Sequence, residues 1–260
     1  MAVVAGIVLL GLGLAVRLYD GGESDSAAFN PSPSAVRTAT DRGTSEPSSE
    51  PSPAATATPN NDITVQLLAW SRQQSGWVDD RLDENPASYQ EGESVPLLVR
   101  LEGAVDDETY EITMRYQCGT EERASFDYLS QVAEADAASV LRPPGPGRTR
   151  PDTTIPIPDY PSIAFDDVIN RRFLLWGGSF GAAPEDPHPS SQCTDTREFR
   201  TSVTAHDTAL SLMMGAHLAA AVDWGEGRGA SSQDVPLFME VSVNGGTPVR
   251  LEVTPDTVAP

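Results

Sequence analysis

The sequence predicts an all-β fold, an antiparallel immunoglobulin-like or prealbumin-like sandwich of about eight strands, preceded by an N-terminal transmembrane helix and a disordered linker. Three features of Ile63 to Thr254 carry the fold: short apolar, β-branched or aromatic runs recur, turn residues bracket most of them, and helical periodicity is scarce. The clearest alternation is "TYEITMRYQC", which sets Tyr110, Ile112, Met114 and Tyr116 on one face of a strand and Glu111, Thr113, Arg115 and Gln117 on the other.

The elements follow in chain order. Residues 1–19 read as a membrane anchor or an uncleaved signal sequence. Ala2 to Val16 is uncharged, and 15 residues at helical rise span about 22 Å, which Arg17 lengthens by snorkelling. A cleaved signal peptide fits less well, because the basic flank and an early A-x-A site are missing. Residues 20–62 are mostly Ser, Thr, Pro, Ala and acid, too poor in apolar side chains to offset chain entropy, and read as a disordered stalk. Residues 63–255 form the folded ectodomain, and 256–260 a flexible tail.

Within the ectodomain the strand segments are "ITVQLLAW", "VPLLVRLEG", "TYEITMRYQC", "RRFLLWGGSF", "EFRTSVTAH", "ALSLMMGAHLAAAV", "PLFMEVSV" and "VRLEV". One helical signal competes, "YLSQVAEADAASVL" from Tyr128 to Leu141, which is rich in alanine and poor in alternation. Seven prolines between Arg142 and Pro161 predict a surface excursion rather than a central strand.

The formal charge of -21 argues against nucleic acid, since a phosphate-binding face needs clustered cations, and no lysine occurs among the 17 basic residues. The expected partners are the membrane, through the N-terminal helix, and an envelope polysaccharide or a surface protein. No cofactor is expected. Calcium is the one ion the composition favours, through the acidic runs Asp106, Asp107, Glu108 and Asp166, Asp167, although neither has an EF-hand pattern. Cys118 and Cys193 are the only cysteines, and outside the membrane they are expected to pair. Two cysteines without a histidine at ligand spacing do not make a structural zinc site.

The stretch "GAHLAAAVDWGEGRGAS" tests for chemistry. Its glycines run G-x-G-x-G, not G-x-G-x-x-G, and no helical run follows, so a phosphate loop is rejected. The sequence also has no G-x-S-x-G nucleophile elbow to supply a triad. The expectation is an apolar strand through His217 ending near Val222, then a glycine-rich turn from Asp223 to Gly229. Asp127, His217, Asp223 and Trp224 are the candidates for a small polar binding cluster across the sheet.

Five blocks in order, "YQEGESVPLLVRLEG", "YEITMRYQC", "SFDYL", "RRFLLWGGSF" and "MMGAHLAAAVDWGEGRGAS", resemble a family of secreted bacterial β-sandwich domains. Its pattern runs Y-x-E-G-x-x-V-P, Y-x-V-x-I-x-Y-D, A-Y-D-Y-L, F-x-x-W-G-G and W-G-G-H-I-A with D-W-G-x-G-x-A. The resemblance implies an extracellular, envelope-associated protein and supplies no catalytic residues. Glu91-Gly92, Asp127-Tyr128, Gly177-Gly178, His217 and Asp223-Trp224-Gly225 match it. Met213-Met214 stands where the family has tryptophan and glycine, and Gln117 where it has aspartate.

Three function classes follow. A cell-surface domain with a structural, display or protein-interaction role, not catalytic, accounts for anchor, stalk and charge together. A carbohydrate-binding module would use Trp77, Tyr89, Tyr160 or Trp224 as a stacking platform, and so requires two or more of these rings exposed and coplanar. A hydrolase with paired carboxylates would require a cleft with converging acids.

Overall fold

The computed structural model describes residues 63–120, 122–132, 149–158, 171–181, 183–185 and 195–260, all within the second of the chain's two units, Ala57–Pro260. The expected anchor and stalk (1–62), Tyr160, Asp166, Asp167 and Cys193 lie outside the described residues. Among the described residues no helix is long and apolar enough to cross a membrane.

Two β-sheets dominate. The first orders β2 (Gly76–Asp79), β1 (Thr64–Ser71), β5 (Ser94–Glu102), β12 (Ala209–Leu218), β9 (Arg172–Trp176) and β8 (Thr153–Pro156), and all of these pairs are antiparallel. The free edge of β12 is shared: β9 takes Ser211 to Met213, and β7 (Phe126–Ser130) takes Gly215 to Leu218. The second sheet orders β10 (Gly178–Phe180), β11 (Thr196–Ala205), β6 (Thr109–Gln117), β13 (Leu237–Val243), β14 (Val249–Val253) and β3 (Arg81–Leu82).

Alternation explains the second sheet. Tyr110, Ile112, Met114 and Tyr116 of β6 are all buried, as the period of two requires, and Phe199 of β11 lies flat against Tyr116 at 6.1 Å between ring centres. The first sheet is apolar on both faces. Leu67, Leu97, Val99, Leu212 and Met214 join the main core with the second sheet's residues, whereas Leu68, Trp70, Leu98, Met213 and Trp176 form a separate buried cluster with Val132. Continuous apolar runs such as "VPLLV" mark strands covered on both sides.

Several expectations are corrected. Fifteen strand segments occur among the described residues rather than about eight, because strands of two to five residues are too short to show a period. Two pairs, β14 with β3 and β15 (Val258–Ala259) with β4 (Tyr89–Gln90), are parallel. "RRFLLWGGSF" is two strands in two sheets: Gly177, at φ 81°, turns the chain from β9 to β10, and a Cβ there would strike the Ala209 carbonyl. Tyr128 to Ser130, the start of the competing helical segment, is strand, since it completes the edge of β12; residues 133–141 of that segment lie outside the described residues. The proline-rich excursion contributes β8, an edge strand, where a proline's missing N–H is tolerated. Residues 256–260 are no loose tail. Thr257 is fully buried, its hydroxyl accepts the Glu84 N–H at 3.0 Å, and β15 pairs with β4.

Candidate functional site

At one end of β12, His217 pairs across to Tyr128 of β7, but Leu218 pairs to Phe126. The ladder therefore skips Asp127, and this one-residue bulge aims two successive side chains at one histidine. The Asp127 carboxylate accepts from His217 Nδ1 at 2.7 Å, and the Tyr128 ring stacks on the imidazole at 4.2 Å with 12° between planes. Asp127 is nearly buried, its side chain 4% exposed, and that of His217 is 14% exposed. An ionised carboxylate only accepts, so Nδ1 carries a hydrogen and the neutral ring holds its lone pair on Nε2.

The strand stops at Leu218, four residues before the expected Val222, and the glycine-rich turn begins as a single helical turn, α1 (Ala221–Trp224). The cause lies 130 residues upstream. The Glu91 carboxylate accepts from Ala221 N at 2.7 Å, Ser231 N at 3.0 Å and Ser231 Oγ at 2.6 Å, and so gathers both ends of the loop. Gly229 leaves the space for it: a Cβ there would fall on the Glu91 carboxylate. Ala230 N also donates to Ala219 O, and the Gln233 amide to Ala124 O. The loop is thus held rigidly, with Val222 and Trp224 exposed and the Trp224 indole N–H reaching Asp127 Oδ2 at 3.5 Å.

The electrostatics are acidic. Burial pushes the Tyr128 phenol far above its ordinary range, and the Asp127 and Asp223 carboxylates push it further, while Arg171 opposes them. Arg171 is buried beside the Tyr128 ring and donates to the carbonyls of Leu129 and Pro158. Asp223 is exposed, and its carboxylate has no hydrogen bond or ion pair among the described residues.

The four residues singled out from sequence therefore sit together: Asp127 bonds both His217 and Trp224, and Asp223 acts on Tyr128. Sequence reasoning missed Tyr128, Arg171 and the anchoring part played by Glu91. A glutamate before a glycine in a matching block was the available signal. Chemically, Asp127 and His217 resemble two-thirds of a triad, but among the described residues no hydroxyl or thiol hydrogen-bonds His217.

At the other end of β12, roughly 30 Å away by strand rise, Asp106 and Asp107 meet His206, each offering a ligand atom within 4.8 Å of the others. Glu108, expected in this group, is not part of it; its carbonyl instead accepts the Ala205 N–H. An imidazole among the ligands departs from the all-oxygen shell calcium prefers. Cys118 is buried at the end of β6 and carries no free thiol. Of the candidate platform rings, Tyr89 is fully buried and hydrogen-bonds the Trp70 carbonyl, and Trp77 packs edge-on against Trp70. Trp224 alone among the described candidates is exposed, and Tyr160 lies outside the described residues.

Comparison with protein-family models, with curated proteins and with solved structures finds no match.

Proposed function

We propose that the protein is an anchored extracytoplasmic domain whose role is structural, display or interaction with a surface partner rather than catalysis. The order of parts along the chain carries this reading: an uncharged run from Ala2 to Val16, a Ser/Thr/Pro-rich stalk, and then a first strand at Thr64, directly past the stalk. Such an order holds a folded domain off a membrane by its own N-terminal strand. The buried Cys118 without a free thiol supports an oxidising compartment, with Cys193 as its partner across the Pro-rich excursion. An immunoglobulin-like or prealbumin-like topology and membership in the secreted sandwich family that the five blocks resemble belong to the same reading. In it the membrane is crossed once, with the C-terminal domain outside; secretion after cleavage is the alternative.

Fractionation of cells producing the full chain tests it. The expected result is recovery with the membrane, release of a fragment beginning in residues 20–62 when intact cells are treated with protease, and no thiol reactive to alkylation before reduction. Recovery in the soluble cytosol with both thiols reactive overturns it. The carbohydrate-binding reading has one exposed candidate ring among the described residues to rest on, Trp224.

A further inference from the structure

We propose that His206, Asp106 and Asp107 form a binding site for a divalent transition-metal ion of the zinc type. This goes beyond the display reading and does not depend on where the protein resides.

The spacing of the three side chains is the first support. One atom from each lies within 4.8 Å of the other two, and His206 Nδ1 stands 3.8 Å from Asp107 Oδ1. That gap is too long for a hydrogen bond, yet it suits two atoms that each lie about 2.0–2.2 Å from one ion. The imidazole is oriented from outside the cluster, because Ser179 Oγ of β10 lies 3.0 Å from His206 Nε2. When Nε2–H donates to that hydroxyl, the lone pair is on Nδ1, the nitrogen that faces Asp107. An outer partner fixes metal-binding histidines in the same way.

The backbone joins the two turns that carry these side chains. Asp107 N donates to Ala205 O and Ala205 N to Glu108 O, both at 2.9 Å, while Gly103 N and Ala104 N both reach Thr208 O at 3.0 Å. His206 N is bonded in turn to Gly177 O at 2.7 Å. An ion therefore does not have to bring the β5–β6 turn to the β11–β12 turn, and little ordering cost opposes its binding. All three side chains are exposed, which leaves water free to complete the shell. Two carboxylates and a neutral imidazole balance a charge of two. The nitrogen decides the class of ion, since imidazole suits zinc and its neighbours in the transition series, whereas calcium and magnesium take oxygen.

Calorimetric titration of the detergent-solubilised full chain with zinc and, separately, with calcium tests the site. The expected result is one saturable zinc site, with calcium at least about tenfold weaker. Ser179→Ala is expected to weaken zinc binding by about tenfold, the lower end for an outer partner, and His206→Ala, which deletes a ligand, by at least as much. Ser179 is a positioning residue, so its variant should keep the metal-free urea midpoint of the wild type, which separates a lost orientation from a lost fold. Zinc binds only the folded arrangement of the two turns, so it should raise the urea midpoint of the wild type and leave that of His206→Ala unmoved. No saturable zinc binding below about 1 mM, calcium binding as tight as zinc, or equal zinc affinity in wild type and His206→Ala would overturn the proposal.

Discussion

Glu91 shows how one side chain sets a site it does not belong to. Its carboxylate takes three hydrogen bonds from the two ends of the 219–231 loop, and Gly229 is the residue whose missing side chain lets it in. Gly229→Ala is therefore expected to destabilise by expelling that carboxylate, and Glu91→Ala by deleting it. Each should cost about 1.5–3 kcal/mol in urea unfolding of the full chain, the range for hydrogen bonds to a charged group. Because both act through one lost interaction, the double variant is expected to cost about as much as either alone. Additive losses would mean that Gly229 is required for its backbone rather than for the space beside Glu91. Nothing local in the sequence announces this pairing, since 140 residues separate Glu91 from Ser231. Asp127 and His217, 90 residues apart, were legible only because both fall in ordered blocks and could be set against each other as polar residues in apolar strands.

At the scale of the element, the junction of β1 with the β4–β5 turn offers a test by pH. Arg72, just past β1, bonds Glu93 at 2.8 Å, donates to the Ser88 carbonyl and lies over the Tyr89 ring. Burial alone would raise the Glu93 pKa, but the hydrogen bonds from Arg72 and Gln90 N, with the Arg72 charge, outweigh it and leave Glu93 below the ordinary carboxylate range. A depressed folded-state value means that this contribution is complete above the unfolded pKa of about 4.3 and is lost as pH falls through the folded value. The loss of stability from about pH 6 to about pH 3 is therefore expected to be shallower in Glu93→Gln than in the wild type, measured by chemical denaturation at each pH. The first sheet gives a second test. Leu98 points away from the main core, yet it is fully buried among Trp70, Met213 and Trp176, so Leu98→Ala is expected to cost about 2–5 kcal/mol, as a core leucine does. A cost below about 0.5 kcal/mol, typical of surface sites, would show that this face is not closed in solution. The runs "QLLAW" and "VPLLV" made this two-sided burial readable. Strands as short as Arg81–Leu82 or Tyr89–Gln90 were not, because two residues carry no period and owe their conformation to partners at the far end of the chain.

Over the whole folded unit, the last residues close the structure and reach the site. The carbonyl of Thr257 accepts the Ser88 N–H, that of Ala259 accepts the Glu91 N–H at 2.9 Å, and the Thr257 hydroxyl receives the Glu84 N–H and bonds the Leu82 carbonyl. A line of support thus runs from β15 through β4 to Glu91, and from Glu91 to the helical turn that presents Trp224. The composition of "TPDTVAP" hides this, since Pro, Asp and Thr read as coil until Thr257 and Val258 are seen to be buried. Ending the chain after Pro255 removes the acceptors of the Glu84, Ser88 and Glu91 N–H groups, and each lost hydrogen bond costs about 0.5–1.5 kcal/mol. The truncated protein is expected to unfold at lower urea concentration than the full chain, and amide exchange is expected to quicken at Ala221 and Ser231 as well as at Glu91. Faster exchange confined to residues 84–91 would show that the loop holds its shape without the C-terminal strand, and that Glu91 alone sets the position of Trp224.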